Sequence, residues 1–235
     1  MKRILMWTIV SMLLCFQSSR LAAGDKAWQA DKDTIALWAF EEGTGEYTYN
    51  KANGEQRGKL TVGTKWVKET NDSGIAFDGI SGKILIEGGK TVTIAPEDTF
   101  TLDVSFKVNP AKELSTMQIY SHQAFGLELR GREGGNVRLN LLDVSSKTPF
   151  WFAGKINVCD GAWHRILVVK DPEQKLFFLF VDGNQDGMAN CPPQMNFTIP
   201  AEGAIGGEQG DPDARKGEYF SGVISGLFIT KKKFQ

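Results

Sequence analysis

From Ile35 to the end of the chain, apolar side chains recur at every second position in short runs. The segments Ile84–Ile86, Phe100–Val108, Leu127–Arg130, Val137–Leu142, Arg165–Val169, Leu176–Val181 and Val223–Ile229 share this pattern. A period of two places alternate side chains on opposite faces of a strand, so each run reads as a strand with one buried face. Between the runs stand turn formers: Asp78-Gly79, Asn109-Pro110, Gly134-Gly135-Asn136, Asp171-Pro172, Asp182-Gly183 and Gly206-Gly207. No stretch sustains the three-to-four spacing of a helix, and a single helical turn is expected at Pro96–Thr99. Many short strands without alternating helices define an all-β chain, a two-sheet antiparallel β-sandwich of the jelly-roll kind.

The first 24 residues are set apart from this pattern. Lys2 and Arg3 precede an apolar run to Phe16, and small residues follow up to Gly24, which reads as a secretory signal peptide cleaved before Asp25. The run falls short of the ~20 residues a membrane span needs, so no membrane span is expected in the mature chain. Residues 25–30 form a short lead-in and 31–235 one domain, about 210 residues in all, enough to bury a sizeable core. Export places the protein outside the cytoplasm, whether secreted, periplasmic or at a cell surface. Removing Lys2, Arg3 and Arg20 leaves 24 basic residues against 28 acidic ones. Such a balance lacks the basic footprint of a phosphate-backbone binder, and no nucleic-acid partner is expected. Of three cysteines, Cys159 and Cys191 remain after cleavage. An even pair in an oxidising compartment leads us to expect a Cys159–Cys191 disulfide, with Cys191 beside Cys159 after a hairpin return.

Four segments in order carry a family resemblance. They are Ala36-Leu37-Trp38-Ala39-Phe40-Glu41-Glu42-Gly43, Gly74-Ile75-Ala76-Phe77-Asp78-Gly79, Asp160-Gly161-Ala162-Trp163-His164-Arg165 with Val181-Asp182-Gly183, and Ala204-Ile205-Gly206-Gly207 with Tyr219-Phe220-Ser221-Gly222. Together they resemble the laminin-G-like, pentraxin-like and concanavalin-A-like jelly-roll domains over nearly the whole mature chain. On that fold Trp38 and Trp163 are expected to anchor the core. His164 is expected on the opposite face from Trp163, as a satisfied rim residue.

The resemblance also implies a structural calcium held by an acid of the opening segment and another of the last strand. Glu41 fills the first place as a metal ligand, but Ser225 stands where the second acid belongs. The segment Asp182-Gly183-Asn184-Gln185-Asp186-Gly187 starts like a calcium loop, yet Pro193 occupies the closing position, and a hairpin turn reads better. Relatives that cleave β-glucans carry Glu-x-Asp-x-x-Glu on a strand. Here the run is Glu128-Leu129-Arg130-Gly131-Arg132-Glu133. Arg130 replaces the central acid, and Gly131 is expected to end the strand before Glu133 can share its face. No catalytic residue is assigned.

A binding face reads more directly. With Leu127, Leu129, Val137 and Leu139 facing inward, Glu128, Arg130, Arg138 and Asn140 face outward. In Phe150-Trp151-Phe152 the tryptophan turns one way and both phenylalanines the other. If Trp151 faces outward, its flat ring and the polar groups beside it match sugar recognition; if inward, it belongs to the core. The first reading makes the chain a non-catalytic module binding a carbohydrate or glycoconjugate through Trp151, Arg130, Arg138 and Asn140. The alternatives are an adhesion domain for an extracellular protein and a glycoside hydrolase with a non-standard site. Asn71-Asp72-Ser73 and Asn196-Phe197-Thr198 fit the glycosylation pattern.

Overall fold

The computed structural model describes residues 28–69, 72–110, 116–209 and 218–233. The signal segment, residues 25–27 of the lead-in, Asn71 of the first glycosylation pattern and residues 210–217 of the late polar loop lie outside these. In chain order the first strands are β1 (Thr34–Trp38), β2 (Tyr47–Tyr49), β3 (Arg57–Leu60), β4 (Thr64–Glu69), β5 (Asp72–Asp78) and β6 (Ile84–Glu87). They are followed by β7 (Val92–Ile94), β8 (Phe100–Val108), β9 (Thr116–His122), β10 (Phe125–Arg130), β11 (Asn136–Leu142) and β12 (Pro149–Ala153). The last are β13 (Trp163–Asp171), β14 (Leu176–Val181), β15 (Asn184–Asn190), β16 (Phe197–Ile199), β17 (Gly203–Ile205) and β18 (Ser221–Thr230).

One sheet runs β15-β14-β13-β8-β18-β5-β4, with β1 also paired to β18; the other runs β12-β11-β10-β9-β17-β6-β3-β2. A small β7–β16 pair stands apart from both. The pairings across both sheets are antiparallel. Alternation works as the sequence reading expects. Phe100, Leu102, Val104 and Phe106 of the first sheet and Leu127, Leu129, Val137 and Leu139 of the second are buried between the layers. Phe100 meets Phe125 across the layers at 5.9 Å and Phe197 at 5.2 Å, both edge to face. Aromatic pairs of this geometry add to the area they bury.

Three expectations are corrected. Pro96–Thr99 forms no helical turn, and among the described residues the single helical element is a 3-10 turn at Gly131–Glu133. The segment is instead one tight turn, with Asp98 N–H bonded to the Ala95 carbonyl at 3.1 Å, and Lys170, fully buried, turns its Nζ onto the carbonyls of Ala95 (2.9 Å), Pro96 (2.7 Å) and Asp98 (2.6 Å). Trp38 is a core anchor, but Trp163 is not. It is half-buried on the outer face of β13, with the Lys107 ammonium 5.3 Å from its ring centroid.

The third correction concerns the cysteines, which are both buried and both free thiols. Three antiparallel strands lie between them, not two. Cys159 precedes the start of β13, whereas Cys191 follows β15 and donates its N–H to the Lys175 carbonyl, beside the far end of β13. Nine residues of strand at ~3.3 Å each separate the two ends by about 25–30 Å, far beyond the ~4.4–6.8 Å between the Cα atoms of a bridged pair.

The lead-in is part of the domain surface. Trp28 stacks on Phe228 at 6.1 Å and donates its Nε1–H to Asp103 Oδ2 at 2.9 Å. Asp103, fully buried, also receives Arg165 Nε at 2.9 Å.

Candidate ligand-binding face

The register of β10, β11 and β12 brings the expected residues together. Asn140 pairs with Trp151 on one side and Gly126 on the other, and Gly126 pairs in turn with Ser121 of β9. One outward row across four strands therefore reads Trp151, Asn140, Gly126, Ser121. Trp151 is 62 % exposed, while Phe152 is buried and Phe150 packs on Phe177 at 5.1 Å. The outward reading of Trp151 is the one realised. A Cβ placed on Gly126 would meet nothing closer than Asn140 Cβ at 3.8 Å. No strain demands glycine there; its absent side chain simply leaves an open floor beside the ring.

One row along, the charged residues form a closed set. Glu128, only 5 % exposed, faces Arg138 Nε at 2.7 Å and Arg130 Nη1 at 3.2 Å with the same Oε1. Its Oε2 accepts from Gln118 Nε2 at 3.2 Å, and that amide also reaches Glu218 Oε2 at 2.8 Å. Arg130 binds Glu133 as well. This contact, ahead of opposing desolvation and the pull of Glu128, raises the pKa of the Arg130 guanidinium, and it lowers that of Glu133. Arg138 lies over Trp151, its guanidinium carbon 5.5 Å from the ring centroid. Stacking of this kind fixes the plane of an exposed ring. At the start of β11, opposite Arg130, Asn136 Oδ1 is buried with no hydrogen-bond partner among the described residues.

The glucanase arrangement is not formed. β10 ends at Arg130, and Glu133 sits on the 3-10 turn, tied to Arg130. Two carboxylates on one strand face, the geometry a glycosidic cleavage of that type uses, are therefore missing.

The remaining candidates lie elsewhere. Glu41 is ion-paired with Lys51 at the surface. Ser225 is fully buried and donates to the Ser105 carbonyl at 3.5 Å. Calcium takes six to eight oxygens, and these two residues do not make such a set. Among the described residues no three His, Cys, Asp or Glu side chains cluster for a metal. Asp182 and Gly183 form the β14–β15 turn with φ of 50° and 79°, the pair of positive angles a two-residue hairpin requires. His164 is buried and bonded to Asp160 and Asp182, a satisfied residue on the face opposite Trp163. Asn196 of the second glycosylation pattern gives its Nδ2 to Ser145 Oγ at 2.9 Å.

Sequence reading missed Gly126 and Ser121, since which residues sit beside Trp151 depends on cross-strand register. That Glu128 also serves Arg138 depends on the same register, since alternation says only that Glu128, Arg130 and Arg138 share a face.

Two stacked antiparallel sheets with an exposed aromatic and polar row on one outer face define a lectin-like β-sandwich. The chain belongs to the concanavalin A-like lectin/glucanases superfamily, whose laminin-G family model matches residues 78–234. No curated protein matches the sequence. Among solved structures, the fold is similar to the binding domain of Paraclostridial Mosquitocidal Protein 1, with a TM-score of 0.68 at 9 % identity, covering 86 % of this chain and 50 % of that one. It is also similar to the botulinum neurotoxin serotype D binding domain, with a TM-score of 0.63 at 10 % identity over 86 % and 49 % of the two chains. The serotype D ligand binding domain in complex with N-acetylneuraminic acid gives a TM-score of 0.60 at 12 % identity, over 86 % and 48 %. The chain thus spans about half the length of each of these structures, and the likeness is one of fold.

Proposed function

We propose that this chain is an exported, non-catalytic module that binds carbohydrate through the outer face of β10, β11 and β12. The observation that carries the reading is Trp151, exposed yet held in plane by Arg138, with Asn140 and the bare Gly126 floor beside it. A sugar ring can lay its C–H face on the indole while Asn140 meets its hydroxyls.

Charge refines the ligand class. Two free arginines would favour carboxylate or sulfate sugars, but here both guanidiniums face Glu128, and Arg130 also faces Glu133. Glu218 lies one amide further on. An acidic sugar would meet three carboxylates around two cations already engaged, so the ligand we propose is a neutral glycan. A panel of neutral, sialylated and sulfated glycans tests this. Neutral sugars should bind and acidic ones should not gain from their charge; preferential capture of sialylated or sulfated glycans would refute the charge argument.

A protein ligand is the second reading. Trp151, exposed on the edge strand β12, is an apolar ring that a protein surface can cover as well as a sugar. Binding of a deglycosylated extracellular protein through Trp151, with no glycan binding, would favour it.

A further inference from the structure

At one end of the sandwich the two layers part around a cavity of about 320 Å³. Trp38 from β1, Ile86 from β6, Val92 from β7 and Ile199 from β16 give it apolar walls. The volume is about twice that of the roughly 150 Å³ apolar cavity that accepts benzene in another protein. Tyr120 of β9 also lines it. This residue is 2 % exposed, yet its hydroxyl has no hydrogen-bond partner among the described residues. The hydroxyl is not sealed off, since Tyr120 lines the cavity, and a donor on an otherwise apolar wall offers an entering ligand one directed hydrogen bond. Burial raises the phenol well above its usual pKa, so it stays a donor across the physiological range.

The cavity mouth is positive. Lys32, Lys90 and Lys231 stand there against Asp33. Lys231 is held by Asp98 at 2.7 Å and Lys32 lies 3.6 Å from Asp33. Lys90 is exposed and has no ion-pair partner among the described residues.

We propose that this cavity binds a small amphipathic carboxylic acid, whose apolar body packs against Trp38 and Ile86. One ligand oxygen accepts the Tyr120 hydroxyl proton, and the negative charge lies in the field of Lys90. The site is separate from the Trp151 face, and the proposal stands or falls independently of glycan binding.

Octanoate and octanol are the probes, titrated calorimetrically against the folded chain. Octanoate should bind saturably, one per chain, and octanol should bind more weakly because it lacks the charge. Tyr120→Phe should weaken both by about five- to tenfold, the scale of one hydrogen bond, without lowering the melting temperature, since the hydroxyl bonds no other described residue. Lys90→Gln should erase the preference for octanoate and leave octanol unchanged. Val92→Phe, which fills the cavity, should abolish both, whereas Trp151→Ala should alter neither. No saturable binding of either probe overturns the proposal. So does a Tyr120→Phe affinity equal to that of the unmodified chain, or a loss of binding in Trp151→Ala.

Discussion

His164 Nδ1 lies 2.7 Å from Asp182 Oδ2, so one imidazole ties β13 to the turn between β14 and β15. Its Nε2 lies 3.0 Å from Asp160 Oδ1, in the loop that leads into β13. A neutral imidazole donates to one of these carboxylates; only the protonated ring donates to both. The hydrogen bond to Asp182, opposed by burial and reinforced by Asp160, holds the His164 pKa above its ordinary value. A group whose folded pKa is raised stabilises fully below its unfolded pKa and loses that contribution as pH rises through the folded one. The melting temperature should therefore fall as pH rises above the ordinary imidazole value of about 6.5, at ~2–4 °C per kcal/mol for a chain of this size. In His164→Gln that fall should flatten. Equal pH profiles for the two proteins would contradict the assignment.

The two cysteines give a second test. Burial, with some help from Asp160, pushes the Cys159 thiol up to about 11, and burial also raises Cys191. Neither should react with iodoacetamide in the folded protein near neutral pH, because the thiolate is the reactive form. Both should react in denaturant with no reductant added. A linked Cys159–Cys191 peptide in a non-reducing digest would mean that the β13–β15 register described above is wrong.

That register also shows where sequence reading stops. Alternation is local, and it correctly placed Leu127, Leu129, Val137 and Leu139 inward and Glu128, Arg130, Arg138 and Asn140 outward. The direction in which Cys191 ends up depends on the number of strands after Cys159. The seven-residue β15 is rich in Asn, Gln, Asp and Gly and has no alternation to announce it. Trp163 failed for a related reason: its strand was recognised, but period two does not say which of two faces is the core. Trp38 and Trp163 are equally apolar in the sequence. Neighbours decide, and Trp163 lies across from Lys107.

Lys170 makes a third case, since a lysine in a strand is ordinarily read as solvent-facing. Here it is fully buried, and desolvation lowers its pKa despite nearby acids. Its three carbonyl partners fix the segment between β7 and β8. Lys170→Met keeps the apolar stem but strands those carbonyls, at a cost on the order of 3 kcal/mol. Thermal or urea unfolding should show a loss of that size. A change below about 0.5 kcal/mol, the scale of an ordinary surface substitution, would mean that the carbonyls are satisfied by water instead.

The ligand face is tested by two substitutions that act in opposite ways on the same row. Trp151→Ala removes the exposed ring and should abolish most glycan affinity. Because the ring is 62 % exposed, stability should change by only about 1 kcal/mol or less, against the ~3–5 kcal/mol that a core tryptophan would cost. Gly126→Val instead adds bulk where a Cβ has room. Valine suits a strand better than glycine, so the variant should be at least as stable as the unmodified chain and yet bind poorly, its side chain standing where the sugar would lie. Measuring melting temperature and glycan affinity on both variants separates contact from folding. If Gly126→Val binds normally while Trp151→Ala does not, the ligand extends from the indole toward the β12 edge and away from Ser121. If neither variant affects glycan binding, the outer face of β10, β11 and β12 is not the site.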